Sequence, residues 1–113
     1  MTPNQAIQRA DELRPNALSR DTKLLWLGEI EGQVGCLMGR GEGVQTDPDG
    51  ELLMQPPFDN IYYLYLCARI DHAHQDGDLY YNDTVMFNAS FDRAKSHYRQ
   101  QNLPQKRGNW RIC

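Results

Sequence analysis

Residues 56–78 read PPFDNIYYLYLCARIDHAHQDGD, and they predict the central element of the fold. Pro56 and Pro57 favour a helix start, because proline suits the first helical turn, and Asp59 would lie in that turn. Apolar side chains then surround most of the helical cylinder: Phe58, Ile61, Tyr62, Leu64, Tyr65, Leu66, Ala68 and Ile70. A helix that is apolar on nearly every side is buried. The pattern predicts a central helix from about Phe58 to Gln75.

The sequence that follows predicts a second helix antiparallel to the first. Gly77 is expected to end the central helix, and Asp78 to cap a helix that continues to about Gln101. One apolar stripe runs along this last helix: Tyr80, Thr84, Phe87, Phe91, Ala94 and Tyr98. A short turn between two helices is typical of an antiparallel helical hairpin. We expect the core of the hairpin to contain Phe58, Ile61, Leu64, Phe87 and Phe91.

Two more helices are predicted before the central one. Thr2 and Gln5 form a capping box around Pro3, so a helix should run from about Pro3 to Leu13 and end at Arg14-Pro15. Ser19 can cap a helix over about 20–38. The apolar stripe of that helix is Leu24, Leu27, Ile30, Val34 and Leu37.

Glycines and a loop follow that stripe. Gly28, Gly32, Gly35 and Gly39 share another face, which either admits a close backbone, within the fold or between copies, or only weakens the helix. Asp47-Pro48-Asp49-Gly50 is a strong turn signal. The segments 44–46 and 51–54 flank that turn and are predicted to form either a short β-hairpin or a loop.

Length and composition fit one domain. The chain has 113 residues, with 40% hydrophobic and 24% charged, which is a normal globular composition. We therefore predict a mainly α protein: residues 1–104 form a small bundle of about four helices, and residues 105–113 form a flexible basic tail. The sequence shows neither a signal peptide nor a long apolar span, so we expect the protein in the cytosol.

No residue pattern predicts catalysis. Histidines two apart on a helix, such as His72 and His74, point in divergent directions and do not share a metal ion. The cysteines Cys36, Cys67 and Cys113 form no C-x-x-C pair, and we expect two buried thiols and one terminal thiol. Burial should raise the pKa of Cys67 and make its thiol inert. We expect no catalytic residue, no metal and no cofactor.

Charge is divided along the chain. Residues 42–83 hold nine acids and the single base Arg69, whereas residues 93–111 hold six bases and no acid. Such a chain either pairs its basic end with the acidic middle of a neighbouring copy, offers it to nucleic acid, or exposes two solvated faces. The tyrosines of the central helix point in several directions, which favours a protein interface. The candidate interface residues are Asp47, Asp49, Glu51, Tyr62, Tyr63, Tyr65, Arg93, Lys95, Arg99, Lys106 and Arg107.

Three stretches together resemble the head-tail connector proteins of tailed bacteriophages and prophages, which are related to the head-completion adaptors beneath the portal. The stretches are DELRPN at 11–16 with KLLWLGEI at 23–30; PFDNIY at 57–62 with Leu66, Ile70 and Asp71; and YND at 81–83 with MFN at 86–88, Tyr98-Arg99 and Leu103-Pro104. The resemblance covers nearly all of residues 1–104.

The resemblance implies a helical subunit that assembles with copies of itself into a ring between the portal protein and a tail-completion protein. Double-stranded DNA would pass through the ring without sequence-specific binding, and the protein would end at the head-tail junction of the virion. A ring needs two different surfaces on each subunit, and a chain divided into acidic and basic parts offers two. An acidic lining would let the DNA backbone slide.

Two other functions are compatible with the same residues. A small helical regulator or adaptor that binds another protein would have the same fold and would be monomeric or dimeric. A nucleic-acid-binding module would use the bases of 93–111 and would show salt-dependent DNA binding.

Overall fold

The central helix and its antiparallel partner form the larger part of the fold. The computed structural model describes residues 1–39 and 49–102, with side chains through residue 99. The helices are α1 (Pro3–Leu13), α2 (Arg20–Leu37), α3 (Asn60–Ala73) and α4 (Gly77–Asn102). α3 contacts each of the other three helices, and α4 packs along α3. The mainly α architecture predicted from the sequence is therefore confirmed.

Local sequence signals fix the first two helices as expected. The Thr2 hydroxyl accepts a hydrogen bond from the Gln5 N–H at 3.2 Å, and the Gln5 side chain accepts one from the Thr2 N–H at 2.9 Å. Ser19 caps α2 by accepting a hydrogen bond from the Thr22 N–H at 3.1 Å. These short-range contacts satisfy N–H groups that have no partner inside the helix, and they define where each helix begins.

The boundary between α3 and α4 differs from the prediction. Gln75 adopts the left-handed conformation, with φ of 57°, so the chain reverses there and Gly77 begins α4. The cap of α4 is Asp76, whose carboxylate accepts a hydrogen bond from the Leu79 N–H at 3.2 Å, and Asp78 lies inside the first turn. α3 also begins later than predicted, at Asn60, because residues 56–59 form a turn.

The core lies where α3 meets the other elements. Ile61, Tyr62, Leu66 and Ile70 are fully buried, and the α2 stripe contributes its buried members in the same cluster: Leu27, Ile30 and Val34. The predicted core of the hairpin needs one correction. Ile61 and Leu64 are buried, but Phe58, Phe87 and Phe91 are only half-buried and pack against the edge of the core.

Residues 49–59 form hydrogen bonds with the first three helices and contain no strand. Leu52 and Met54 are buried, and the Leu52 N–H donates to the Met1 carbonyl at 2.9 Å. The sequence predicted either a β-hairpin strand or a loop for residues 51–54, and these residues form a loop. Residues 44–46, the other half of the predicted hairpin, and the tail at 105–113 lie outside the described residues.

Candidate assembly surface and the polar clusters behind it

The outer face of α4 carries a group of exposed apolar side chains. Tyr81 is 69% exposed, Met86 54% and Val85 49%, and all lie within two turns of the helix. We call Tyr81, Val85 and Met86 the α4 face. The opposite side of the helix turns Asp83, Phe87, Ser90 and Ala94 toward the rest of the fold. Large exposed apolar patches often mark surfaces that contact other molecules, whereas single exposed apolar side chains are common on any protein.

Behind the α4 face, one arginine connects three parts of the chain. The Arg14 Nε donates to Asp71 Oδ1 at 3.2 Å and to Oδ2 at 3.3 Å, while Nη2 donates to Asp83 Oδ1 at 3.1 Å. Arg14 follows α1, Asp71 lies on α3 and Asp83 on α4. Both carboxylates are buried. This Arg14 cluster fixes the first half of α4, and with it the α4 face, against the remaining helices.

A second cluster fixes the connection between α1 and α2. The buried Lys23 ammonium donates to Asp11 Oδ1 at 2.9 Å and to Asn16 Oδ1 at 3.2 Å. The Asn16 side chain also donates to the Arg14 carbonyl at 2.8 Å and accepts from the Leu18 N–H at 3.0 Å. These bonds hold residues 14–18 in place, so that Arg14 is positioned to reach α3 and α4.

A third cluster anchors the segment 49–55. The Tyr62 hydroxyl donates to Glu31 Oε1 at 2.7 Å and accepts from the Met54 N–H at 2.8 Å, and Glu31 Oε2 accepts from the Leu53 N–H at 2.8 Å. Burial, with the neighbouring Glu31 carboxylate, raises the pKa of Tyr62. The hydroxyl therefore remains protonated and available as a donor.

The three candidate tyrosines have different surroundings. Tyr62 is fully buried, so it offers no surface to another chain. The Tyr65 hydroxyl donates to Glu29 Oε1 at 2.9 Å, and burial raises the pKa of Tyr65. Tyr63 is half-buried, with the Arg9 guanidinium 5.6 Å from its ring centre. The hydroxyls of Tyr62 and Tyr65 thus find partners inside the chain, which removes the need for a second copy to supply them.

The acidic and basic candidates lie on different elements. Glu51 Oε2 is 2.8 Å from the Met1 amino group, and Asp49 Oδ1 accepts from the Asn4 side chain at 2.8 Å, so both lie beside the start of α1. Arg93, Lys95 and Arg99 follow one another along the second half of α4, and Lys95 pairs with Asp92 at 3.5 Å. Asp47, Lys106 and Arg107 lie outside the described residues.

The cysteines and His72 have different surroundings. Cys67 is in the core, where burial raises its pKa to about 12, as expected. Cys36 is half-buried instead of buried, and Cys113 is outside the described residues. His72 is exposed, with its ring 5.2 Å from that of Tyr80. Within residues 1–39 and 49–102, no group of three or more potential ligand side chains could hold a metal ion.

The glycine face of α2 is open in part. A side chain at Gly32 would meet no atom within 4 Å, whereas Gly35 is buried.

No described helix is long and apolar enough to cross a membrane.

The sequence pattern did not identify the α4 face or the Arg14 cluster. The α4 face could have been found from Tyr81, Val85 and Met86, because these apolar residues lie outside the stripe that predicts the buried side of α4. The Arg14 cluster could not have been found in this way, because Arg14 and Asp83 are 69 positions apart and no local spacing links them.

Comparisons with protein-family models, with curated proteins and with solved structures found no match.

Proposed function

We propose that this protein is a structural subunit of a phage or prophage head-tail connector, which assembles with copies of itself and with the portal protein. The observation that carries the proposal is the α4 face, an exposed apolar group on a helix that is fixed from behind by buried ion pairs. A subunit that must join other subunits needs such a surface, and its contact residues need a rigid support.

The buried charges support a structural role. Lys23, Glu31, Asp71 and Asp83 are all buried, and each bonds to a group on another element or connection of the same chain. An ionisable group prepared for catalysis would instead be directed into a cleft. These side chains hold helices and connections together, which suits a protein whose function is to present surfaces.

Several residues in the stretches that resemble connector proteins form the polar clusters described above. Asp11, Arg14, Asn16 and Lys23 belong to its first stretch, and Asp71 and Asp83 to the other two. These side chains join α1 to α2 through Lys23, and the end of α1 to α3 and α4 through Arg14. This supports the fold that the resemblance implies, and through the fold the proposed role.

The division of charge supplies the second surface that a ring requires. We propose that the acids at 47–51 of one subunit face Arg93, Lys95 and Arg99 of the next, together with Lys106 and Arg107. The described members lie on separate elements, beside the start of α1 and along the second half of α4. Exposed pairs contribute at most about 1 kcal/mol each, so they would orient subunits while the α4 face contributes more of the affinity.

Co-sedimentation with the portal protein encoded in the same genome tests the proposal. We expect the wild-type chain to sediment with portal rings, and the double variant V85E/M86E to remain in the supernatant, because two carboxylates would be buried in an apolar contact. The matched control is L25E, since Leu25 is an equally apolar residue, 67% exposed, on α2. L25E should still sediment with the portal.

Two results would contradict the proposal. If V85E/M86E keeps its helical circular dichroism and still sediments like the wild type, the α4 face is not the contact. If the wild-type chain itself does not bind the portal, the connector role fails, and a helical adaptor for another protein becomes the better explanation of the exposed face.

A further inference from the structure

The Arg14 cluster contains more negative than positive charge. Asp71 is 2% exposed and Asp83 is 5% exposed, and the only guanidinium bonded to them in the described part of the chain is that of Arg14. Two buried carboxylates against one guanidinium leave one negative charge without compensation. Such a charge is costly inside a protein, and a buried carboxyl group commonly avoids the cost by binding a proton.

The hydrogen bonds show where a proton would be held. Asp83 Oδ1 accepts from Arg14, but Asp83 Oδ2 is buried and has no hydrogen-bond partner among the described residues. A buried polar atom without a partner destabilises the folded chain, because it has lost its hydrogen bonds to water. A proton on this oxygen would turn it into a donor, and the neighbouring Asp71 carboxylate is an acceptor.

We propose that Asp71 and Asp83 form a proton-binding site in which the two carboxyl groups hold one proton between them. The proton comes from solvent, remains on an oxygen of one carboxyl group and is donated in a hydrogen bond to the other. The pair then carries one negative charge, which Arg14 neutralises. The other titratable groups that act on this region are Cys67 on α3, which stays protonated, and Arg9 on α1.

Electrostatics of the site agrees with this geometry. Burial is the main cause that raises the pKa of Asp83, to about 7, and the hydrogen bond and negative charge of Asp71 raise it further, while Arg14 opposes the shift. A carboxyl group with a raised pKa binds its proton more tightly in the folded chain than in the unfolded one. Its contribution to stability is therefore largest below the ordinary pKa of aspartate and is lost as the pH rises through the folded value.

The site lies directly behind the α4 face. Asp83 is between Tyr81 and Val85 in the sequence of α4. Loss of the proton leaves an uncompensated buried charge at this point of the helix, so the first turns of α4 should open more often at high pH. The proton thus couples pH to the order of the α4 face, and this inference does not depend on the connector role.

Carboxyl-carbon NMR of the wild-type chain tests the site directly. We expect the side-chain carboxyl carbon of Asp83 to titrate between pH 5 and 9, because this group binds the proton that the pair holds. If the Asp83 carbon shows an ionised shift at every pH from 5 upward, the pair binds no proton and the proposal is wrong. In D71N, the titration of Asp83 should move to lower pH, since the like charge has gone.

Stability profiles give an independent measurement. In D83N, the amide can accept from Arg14 and donate to Asp71, as the protonated acid would. The unfolding constant of the wild type relative to D83N should rise with pH between 5 and 7, by up to about tenfold per pH unit. The matched control is D92N, an exposed acid of the same helix, whose profile should run parallel to that of the wild type. A parallel profile for D83N would overturn the proposal.

Hydrogen exchange locates the effect. Amides of residues 78–86 should exchange faster in the wild type than in D83N at pH 8, after correction for the intrinsic rate, and equally at pH 5. Equal protection at both values would show that the proton does not govern this part of α4.

Discussion

Single buried polar residues determine how the connecting segments of this protein are held. Glu31 is buried, yet both of its oxygens accept hydrogen bonds, one from the Tyr62 hydroxyl and one from the Leu53 N–H. Tyr62 in turn accepts from the Met54 N–H. A buried carboxylate with complete hydrogen bonding fixes one arrangement, since any displacement leaves a group without a partner. The cluster therefore places Leu52 and Met54 in the core.

Removal of one hydroxyl tests this arrangement. In Y62F, Glu31 Oε1 loses its donor and the Met54 N–H loses its acceptor, so the free energy of unfolding should fall by about 1 to 3 kcal/mol. Urea unfolding at pH 7 measures the change. The control Y81F removes the hydroxyl of an exposed tyrosine and should alter stability by less than about 0.5 kcal/mol. A Y62F chain as stable as Y81F would show that the cluster contributes nothing.

Local sequence determines some of the helix ends in this protein and does not determine others. The starts of α1 and α2 follow from Thr2, Gln5 and Ser19, because a cap and its partner are only three residues apart. The turn between α3 and α4 depends on a left-handed residue. Glycine is the usual choice there, so Gly77 was expected to end α3, but Gln75 adopts that conformation instead. Packing of the two helices overrides the local preference.

The cap of α4 distinguishes the two interpretations of this turn. D76A removes the carboxylate that accepts from the Leu79 N–H and should lower the free energy of unfolding by about 1 kcal/mol. D78A removes only a favourable charge in the first turn and should cost at most about 0.5 kcal/mol. Thermal unfolding of the two variants, measured side by side, shows which variant loses more stability. A larger loss in D78A would contradict the described cap.

At the scale of the whole molecule, the sequence was informative about what is buried and less informative about what is exposed. Apolar side chains all round α3 predicted its central position, since such a helix needs cover on every side. The buried ion pairs could not be predicted, because Arg14, Asp71 and Asp83 meet only after three helices have packed. The half-burial of Phe87 also follows from packing, which leaves α4 at the edge.

The same edge position gives the molecule its proposed function. α4 covers one side of α3 and leaves its own outer side, with Tyr81, Val85 and Met86, exposed. The acids near α1 and the bases of the second half of α4 lie on separate elements. A head-to-tail contact between identical subunits would pair the acids of one copy with the bases of the next. Assembly with copies of the chain on a portal would cover the apolar face and bring opposite charges together.

Negative-stain electron microscopy of the chain mixed with portal rings from the same genome tests the proposed connector role. A connector subunit should form an additional ring-shaped layer on one end of each portal, continuous with its central channel and absent from portal alone. Images in which the portal is unchanged, at concentrations where the chain is folded and in excess, would contradict the connector role.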